Sequence, residues 1–195
     1  MSARPRILFV RHGETDWNVE GRLQGQTDIP LNALGRFQAE DVGRRLAKLI
    51  DTPADSKWLV SPLGRTRETA EIARRALGLD PTSYETDDRL KEITFGSWEG
   101  FTWAELRQKD PLIGITREKQ KWDYVPPKGE SYAMLTERLK PWLDTIVEER
   151  VVVSHGGVAR ALMALIADVP PQDAPRHEIH QGRVLEFAEG RFRWH

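Results

Sequence analysis

The run Ile7-Leu8-Phe9-Val10 leads directly into Arg11-His12-Gly13-Glu14-Thr15, and no other feature restricts the fold as much. Four consecutive apolar residues suit a strand covered on both faces, whereas a strand with one wet face would alternate. Ending that strand in Arg, His and Gly brings a cation and an imidazole to the rim of a sheet. In open α/β sheets, ligands bind in the crevice outside the carboxyl ends of the strands. Gly13 lets the chain turn sharply and lets a ligand approach the backbone. This opening predicts an anion site that holds a candidate nucleophile.

The arrangement recurs near the other end of the chain. Val151-Val152-Val153 is the strongest buried-strand signal, and it runs into Ser154-His155-Gly156-Gly157. In a parallel sheet both histidines reach the same rim. A lone histidine in such a place is ordinarily a surface or core residue, but two in the same context weaken that reading. Lys57-Trp58-Leu59-Val60 reads as a further strand ending at Ser61-Pro62, followed by a helix from about Leu63 to Leu77 that Gly78 stops. Arg65 and Arg67 fall in its first turn, where a cation is disfavoured unless an anion lies nearby. From this segment alone, Arg65 reads equally as a phosphate or carboxylate ligand and as a solvated residue paired with Glu68.

Leu34, Phe37, Val42, Leu46 and Leu49 fall near one face of a helix. Thr82 to Thr86 suits a short strand, and residues 87–101 suit a structured loop. Residues 110–130 hold Pro111, Pro126, Pro127 and Gly129 without a clear period, and read as a short excursion bordering the site. Tyr132, Leu135, Leu139, Trp142, Leu143 and Ile146 pattern an amphipathic helix that Pro141 should kink or split. A helix should follow Gly157 to about Ala167. Val184–Phe187 and Phe192–Trp194, around Glu189-Gly190, predict a hairpin. This alternation predicts an α/β fold, a three-layer α/β/α sandwich with a mostly parallel central sheet and a C-terminal β-hairpin. It is read as one domain, residues 1–195.

Composition narrows the function. A chain of 195 residues buries roughly 70% of its unfolded surface and needs no covalent staple. It has no cysteine, which excludes disulfides, thiolate metal sites and cysteine nucleophiles. A net charge of −1 gives no bulk attraction to nucleic acid or membrane, so neither is expected as a partner. No segment approaches the roughly 20 apolar residues of a membrane span, and no cleavable leader is recognisable. A cytoplasmic location is expected. There is no Gly-x-x-x-x-Gly-Lys loop for a nucleoside triphosphate. His177 and His180 lack a third ligand, and no metal site is expected. Ser154 and His155 are neighbours on a strand and face opposite ways, and no Gly-x-Ser-x-Gly elbow is present. The seven tryptophans and the oligomeric state receive no assignment.

Four segments together resemble the histidine phosphatase superfamily, the phosphoglycerate-mutase-like group. They are Arg11-His12-Gly13-Glu14-Thr15 with Trp17-Asn18, and Ser61-Pro62-Leu63 leading to Arg65 and Thr69-Ala70. Leu90-Lys91-Glu92 with Gly96 and Trp98-Glu99-Gly100, and Ser154-His155-Gly156-Gly157, complete the set. They stand in the family's order across nearly the whole chain. The resemblance implies that His12 is the nucleophile, becoming a phosphohistidine, and that Arg11, Arg65 and His155 surround the transferred phosphoryl group. It implies that Glu92 gives a proton to the leaving oxygen and later takes one from water. Asn18 and Gln24, with Gly156, would line the substrate pocket. Physical reasoning alone leaves Asp87, Asp88 and Glu99 as rivals of Glu92; the choice of Glu92 rests on the family pattern.

Those roles agree with the chemistry. Phosphoryl transfer asks for positioning and charge stabilisation, and guanidiniums offer forks matched to phosphate oxygens. A neutral imidazole is a competent nucleophile near pH 7, provided its attacking nitrogen carries no proton and the other donates, for instance to a backbone carbonyl. No cofactor is needed if arginines and His155 take a cation's part. Mutases of this family usually carry a charged Arg-His-Tyr-Gly segment after the acid, where this chain has Ile93-Thr94-Phe95-Gly96, and they usually have a longer insertion. The expectation is a phosphatase acting on a small phosphorylated metabolite. A phosphoglycerate mutase is the second reading, and a non-catalytic module that binds phosphorylated ligands the third. Trp122, Tyr124 and Lys128 in the excursion would either contact substrate or pack the excursion onto the core.

Overall fold

The computed structural model describes residues 4–195; the first three residues of the expected 1–195 domain lie outside the described residues. Six strands form one sheet: β1 (Ile7–Arg11), β2 (Trp58–Val60), β3 (Glu85–Thr86), β4 (Arg150–Ser154), β5 (Val184–Ala188) and β6 (Arg191–Trp194), in the order β3-β2-β4-β1-β5-β6. Strands β3, β2, β4 and β1 are parallel, and the hairpin β5-β6 adds antiparallel to β1. Glu189 and Gly190 both take positive φ, 51° and 72°. That backbone twist matches the twist of the strands it joins.

The apolar strand runs are continuous because both faces of the sheet are covered. Ile7, Phe9, Val152, Leu185 and Phe187 point into a core shared with α6 (Tyr132–Leu143) and α7 (Gly156–Ile166). Leu8, Val10, Val151, Val153 and Val184 point into a second core under α2 (Ala33–Leu46) and α3 (Gly64–Ala76). The remaining helices, α1 (Asp16–Val19), α4 (Trp103–Lys109) and α5 (Pro111–Lys119), lie in the connections. Among the described residues, no helix is long and apolar enough to cross a membrane.

Three expectations need correction. Leu34 and Phe37 do not belong to the buried stripe of α2; they are 49% and 61% exposed. The buried face is Gly35, Ala39, Val42, Gly43 and Leu46. Small residues win because the helix lies against backbone: a Cβ on Gly43 would sit 2.5 Å from the Ala73 carbonyl oxygen of α3. Of the kink or split expected at Pro141, the split does not occur in α6. Pro141 stands in the last turn, and the helix ends at Leu143, with Ile146 buried beyond it. The excursion is not devoid of period-bearing structure either. It contains α5, which Asp110 caps through Leu112 N–H with Pro111 at its start, and α4 precedes it behind a Thr102/Glu105 capping box.

Candidate active site

Register decides which side chains meet. Arg11 of β1 lies opposite Ser154 of β4, so His12 and His155 are the next residues out along parallel strands. Ser61 leaves β2 at the same rim, its N–H donating to the Val153 carbonyl. The two imidazoles are buried with ring centroids 5.3 Å apart. His12 Nδ1 faces the Gly13 carbonyl at 2.8 Å. A carbonyl only accepts, so Nδ1 carries the hydrogen and Nε2 keeps its lone pair. His155 Nε2 meets Ser61 Oγ at 2.8 Å. Burial, then Arg65 and Arg11, drive His12 well below the usual 6.5, against the Gly13 hydrogen bond. Burial, Arg65, His12 and Arg11 do the same to His155. Both rings are neutral near pH 7.

The two arginines reach the rim from different elements. Arg65, at the start of α3, is 1% exposed. It does not pair with Glu68, which takes Arg36 instead; its Nη1 donates to the Thr27 carbonyl and its Nη2 to the Gly25 carbonyl at 2.7 Å. Arg67 turns outward to Tyr84. Arg11 Nη1 donates to the Ile179 carbonyl at 2.8 Å. Burial, and then Arg160, push the Arg11 guanidinium down to about 10, which still leaves it charged at neutral pH. Among the described residues, Arg11 Nε, Arg65 Nε and His155 Nδ1 are buried without a protein partner. Buried polar groups are rarely left unpaired, and unpaired guanidinium nitrogens at such a rim suit an anion.

Glu92 is the carboxylate that the fold brings to this rim. Its Oε1 and Oε2 accept from Gly157 N–H at 3.0 and 3.1 Å, in the first turn of α7, and Oε1 also accepts from Ile93 N–H. The rivals are engaged elsewhere. Asp87 caps a 3-10 turn and pairs with Arg89, and Asp88 pairs with Lys91. Glu99 is saturated by Gln26, Thr27, Thr94 and Phe95, donors that hold it below the usual carboxylate range despite its burial.

A cavity of about 150 Å³ opens over this group, lined among others by Arg11, His12, Asn18, Gln24, Arg65, Glu92 and Gly156; His155 is fully buried and does not line it. Asn18 caps α1 with Thr15, and its Oδ1 also accepts from Gln181, whose amide donates to the His12 carbonyl as well. Gln24 is buried at the cavity wall. The organic-group candidates divide: Trp122 stacks on Tyr132 and Tyr124 on Trp98, while Lys128 is exposed. Trp122 and Tyr124 pack the excursion, and none of the three lines the cavity. His177 and His180 pack on Phe192 and Trp194, and among the described residues no cluster of three His, Cys, Asp or Glu could hold a metal.

Sequence reasoning missed several supporting residues. Arg138 of α6 donates to the Lys91 carbonyl at 3.0 Å and pairs with Glu130, clamping the loop that carries Glu92. Thr69 Oγ1 accepts from Gly13 N–H while donating to the Arg65 carbonyl, tying the segments of His12 and Arg65 together. Gln26 donates to the Glu92 carbonyl. Ser61 and Thr69 stood inside recognised motifs, but nothing in the sequence signalled Arg138 or Gln181.

Fold and site together define an α/β protein with paired strand-end histidines set among arginines. Residues 7–195 match the model of the histidine phosphatase superfamily (branch 1), and the chain belongs to that superfamily. It is 38% identical over 179 residues to a protein of Salmonella arizonae named probable phosphoglycerate mutase GpmB, covering 85% of this chain and 76% of that one. It superposes on Bacillus stearothermophilus YhfR with a TM-score of 0.79 and 34% identity, covering 97% and 94% of the two chains. A mycobacterial glucosyl-3-phosphoglycerate phosphatase complexed with VO3 gives a TM-score of 0.81 at 27% identity, with 97% of each chain covered.

Proposed function

We propose that this chain is a metal-independent phosphomonoesterase that hydrolyses a small phosphorylated metabolite through a phosphohistidine on His12. The observation that carries the reading is the pinned, neutral His12 ring: Nδ1 is held by the Gly13 carbonyl, and Nε2 is the free nucleophile beside Arg11 and Arg65. Phosphatases among its structural neighbours agree with it.

In the first step Nε2 attacks phosphorus and the P–O bond to the leaving group breaks. Arg11 and Arg65 hold the equatorial oxygens in place of a metal ion. Glu92 acts as the general acid towards the leaving oxygen, so an alcohol departs. Water then attacks the phosphohistidine, the N–P bond breaks, and Glu92 takes the water's proton while inorganic phosphate forms. The covalent intermediate divides one difficult displacement into two easier ones. Neutral His155 offers a hydrogen-bonding contact, and it becomes cationic only if the arriving phosphate dianion outweighs burial together with Arg65 and Arg11.

Aryl phosphate hydrolysis in the presence of a chelator tests this. Wild-type turnover that His12→Ala abolishes, with acid-labile phosphate on the wild-type protein, is expected. Turnover that survives His12→Ala, or that the chelator stops, overturns the reading. The names of the curated relatives favour a second one, a phosphoglycerate mutase. Isomerisation of a phosphoglycerate faster than its hydrolysis would establish that instead.

A further inference from the structure

One side-chain amide stands between two acceptors at the edge of the reactive cavity. Gln181 Nε2 donates to the His12 carbonyl at 3.2 Å and to Asn18 Oδ1 at 3.0 Å. The first is a carbonyl oxygen, which only accepts. The second is fixed as oxygen by the Thr15 backbone N–H, which donates to it at 3.1 Å. A bridge between two acceptors needs two hydrogens, which an amide nitrogen has and a hydroxyl or a carboxylate has not. We propose that Gln181 is a positioning residue for phosphoryl transfer: it sets His12 and Asn18 relative to one another and leaves the Asn18 amide nitrogen as a donor to a phosphoryl oxygen. The inference rests on the phosphatase reading and adds a residue that does not itself line the cavity.

The hydrogen bonds of Asn18 divide its amide into a spent end and a free one. Oδ1 accepts from Thr15 N–H, from Thr15 Oγ1 and from Gln181, so no lone pair is left for a ligand. Among the described residues, Nδ2 makes no hydrogen bond to the protein, and Asn18 lines the cavity. What the cavity receives from Asn18 is therefore a donor, the polarity that suits a phosphate oxygen. His12 is held in the same way from its backbone. Its N–H donates to the Ser154 carbonyl at 3.0 Å, its ring is pinned by the Gly13 carbonyl, and its own carbonyl accepts from Gln181. Of these three contacts, only the last ties the nucleophile to α1.

The segment that carries Gln181 is itself anchored to the site. Two residues back, the Ile179 carbonyl accepts from Arg11 Nη1 at 2.8 Å, and two further back the His177 carbonyl accepts from Arg160 Nε at 2.8 Å. Ile179 is buried in the core, and the rings of His177 and His180 pack edge-on against Phe192 and Trp194 of β6. Gly182 then takes a φ of 71° and turns the chain towards β5. Residues 177, 179 and 181 thus each hold one group of the cavity wall, and the amide of Gln181 projects from a fixed backbone. Phosphoryl transfer depends chiefly on placement, and such a support supplies it before the substrate arrives.

Inorganic phosphate, titrated calorimetrically into the full chain, reads the site without turnover. Gln181→Met keeps the length of the side chain and removes its amide. Gln181→Asn keeps the amide and shortens it by one methylene, so that it no longer reaches both acceptors. Each should weaken phosphate binding about fivefold or more, the scale of one hydrogen bond, and lower kcat on phenyl phosphate, with an unchanged circular dichroism spectrum. In an Asn18→Ala background the same substitutions should weaken phosphate binding less than about twofold, because the donor they misplace is already gone. Affinity within about twofold of wild type in both single variants would mean that Thr15 alone holds Asn18, and it overturns the proposal. An equal loss in the two backgrounds, or no phosphate bound by the wild type, overturns it as well. A wild type that binds phosphate but does not hydrolyse phenyl phosphate removes the phosphatase reading, and the titrations still decide the coupling of Gln181 to Asn18.

Discussion

Gly157 and Glu92 touch so closely that no side chain fits between them: a Cβ on Gly157 would lie 2.4 Å from Glu92 Oε1 and 2.9 Å from Ile93 Cγ2. The glycine is required by this approach rather than by its dihedral angles. It lets the first turn of α7 present a backbone N–H to both carboxylate oxygens.

Gly157→Ala should therefore displace the Glu92 carboxyl while leaving the fold intact. General acid catalysis contributes about 10²–10⁴-fold, and it matters most when the leaving group is a poor one. The variant should lose far more kcat/KM on an alkyl phosphate than on p-nitrophenyl phosphate, with an unchanged circular dichroism spectrum. Equal losses on both substrates would remove Glu92 from the role of acid.

The neutral histidines tie stability to pH. Unfolded, each binds a proton below about 6.5; folded, burial and the arginines keep both rings uncharged well below that. The unfolded state then holds more protons, so stability falls as pH drops below 6.5 and continues to fall until the folded rings titrate. Each ring contributes a slope of at most about 1.4 kcal/mol per pH unit in that window. Urea melts across the window should show this decline. His12→Asn should make it shallower, and an unchanged slope would mean that His12 is charged in the folded protein.

Arg65 and lysine are not interchangeable here. The guanidinium sends two nitrogens to the Thr27 and Gly25 carbonyls, which fixes its plane, and an ammonium has no such fork. Arg65→Lys should lower kcat/KM by about 10²-fold or more, the scale of losing one donor to the developing charge. Steady-state kinetics with phenyl phosphate check this, and a variant within a few-fold of wild type would leave Arg65 a purely structural role.

What was legible in the sequence follows a physical line. Strands buried on both faces announce themselves as apolar runs, so β1, β2 and β4 could be placed, and the residues directly after them with their rim; the hairpin was legible from its Glu189-Gly190 turn. Arg11, His12, Arg65 and His155 sit in that context. The α2 face could be read from large apolar residues only at Val42 and Leu46; elsewhere Gly35 and Gly43 make the close contacts and Leu34 and Phe37 face water. Helix α5 was hidden because its Leu112 and Ile115 are exposed, leaving only local capping chemistry as a signal. The choice of Glu92 over Glu99 depended on partners far along the chain, Gly157 for the first and Gln26 and Thr27 for the second. Gly157 lies 65 positions from Glu92, a separation that no local pattern reports.

Arg138 shows what such distant support contributes, and it yields the last prediction. Its guanidinium is bound to Glu130 and to the carbonyls of Arg89 and Lys91, so one side chain of α6 fixes the segment that ends at Glu92. Hydrogen bonds to a charged group contribute about 1.5–3 kcal/mol. For a chain of this size each kcal/mol moves Tm by about 2–4 °C. Arg138→Met, which keeps the stem and removes the fork, should lower Tm by several degrees. It should also reduce kcat on an alkyl phosphate more than on p-nitrophenyl phosphate, because the loop it frees carries the acid. Arg138 does not line the cavity, so KM should change little. A lower Tm with kcat unchanged on both substrates would assign Arg138 to stability alone and leave Glu92 positioned by Gly157 and Ile93.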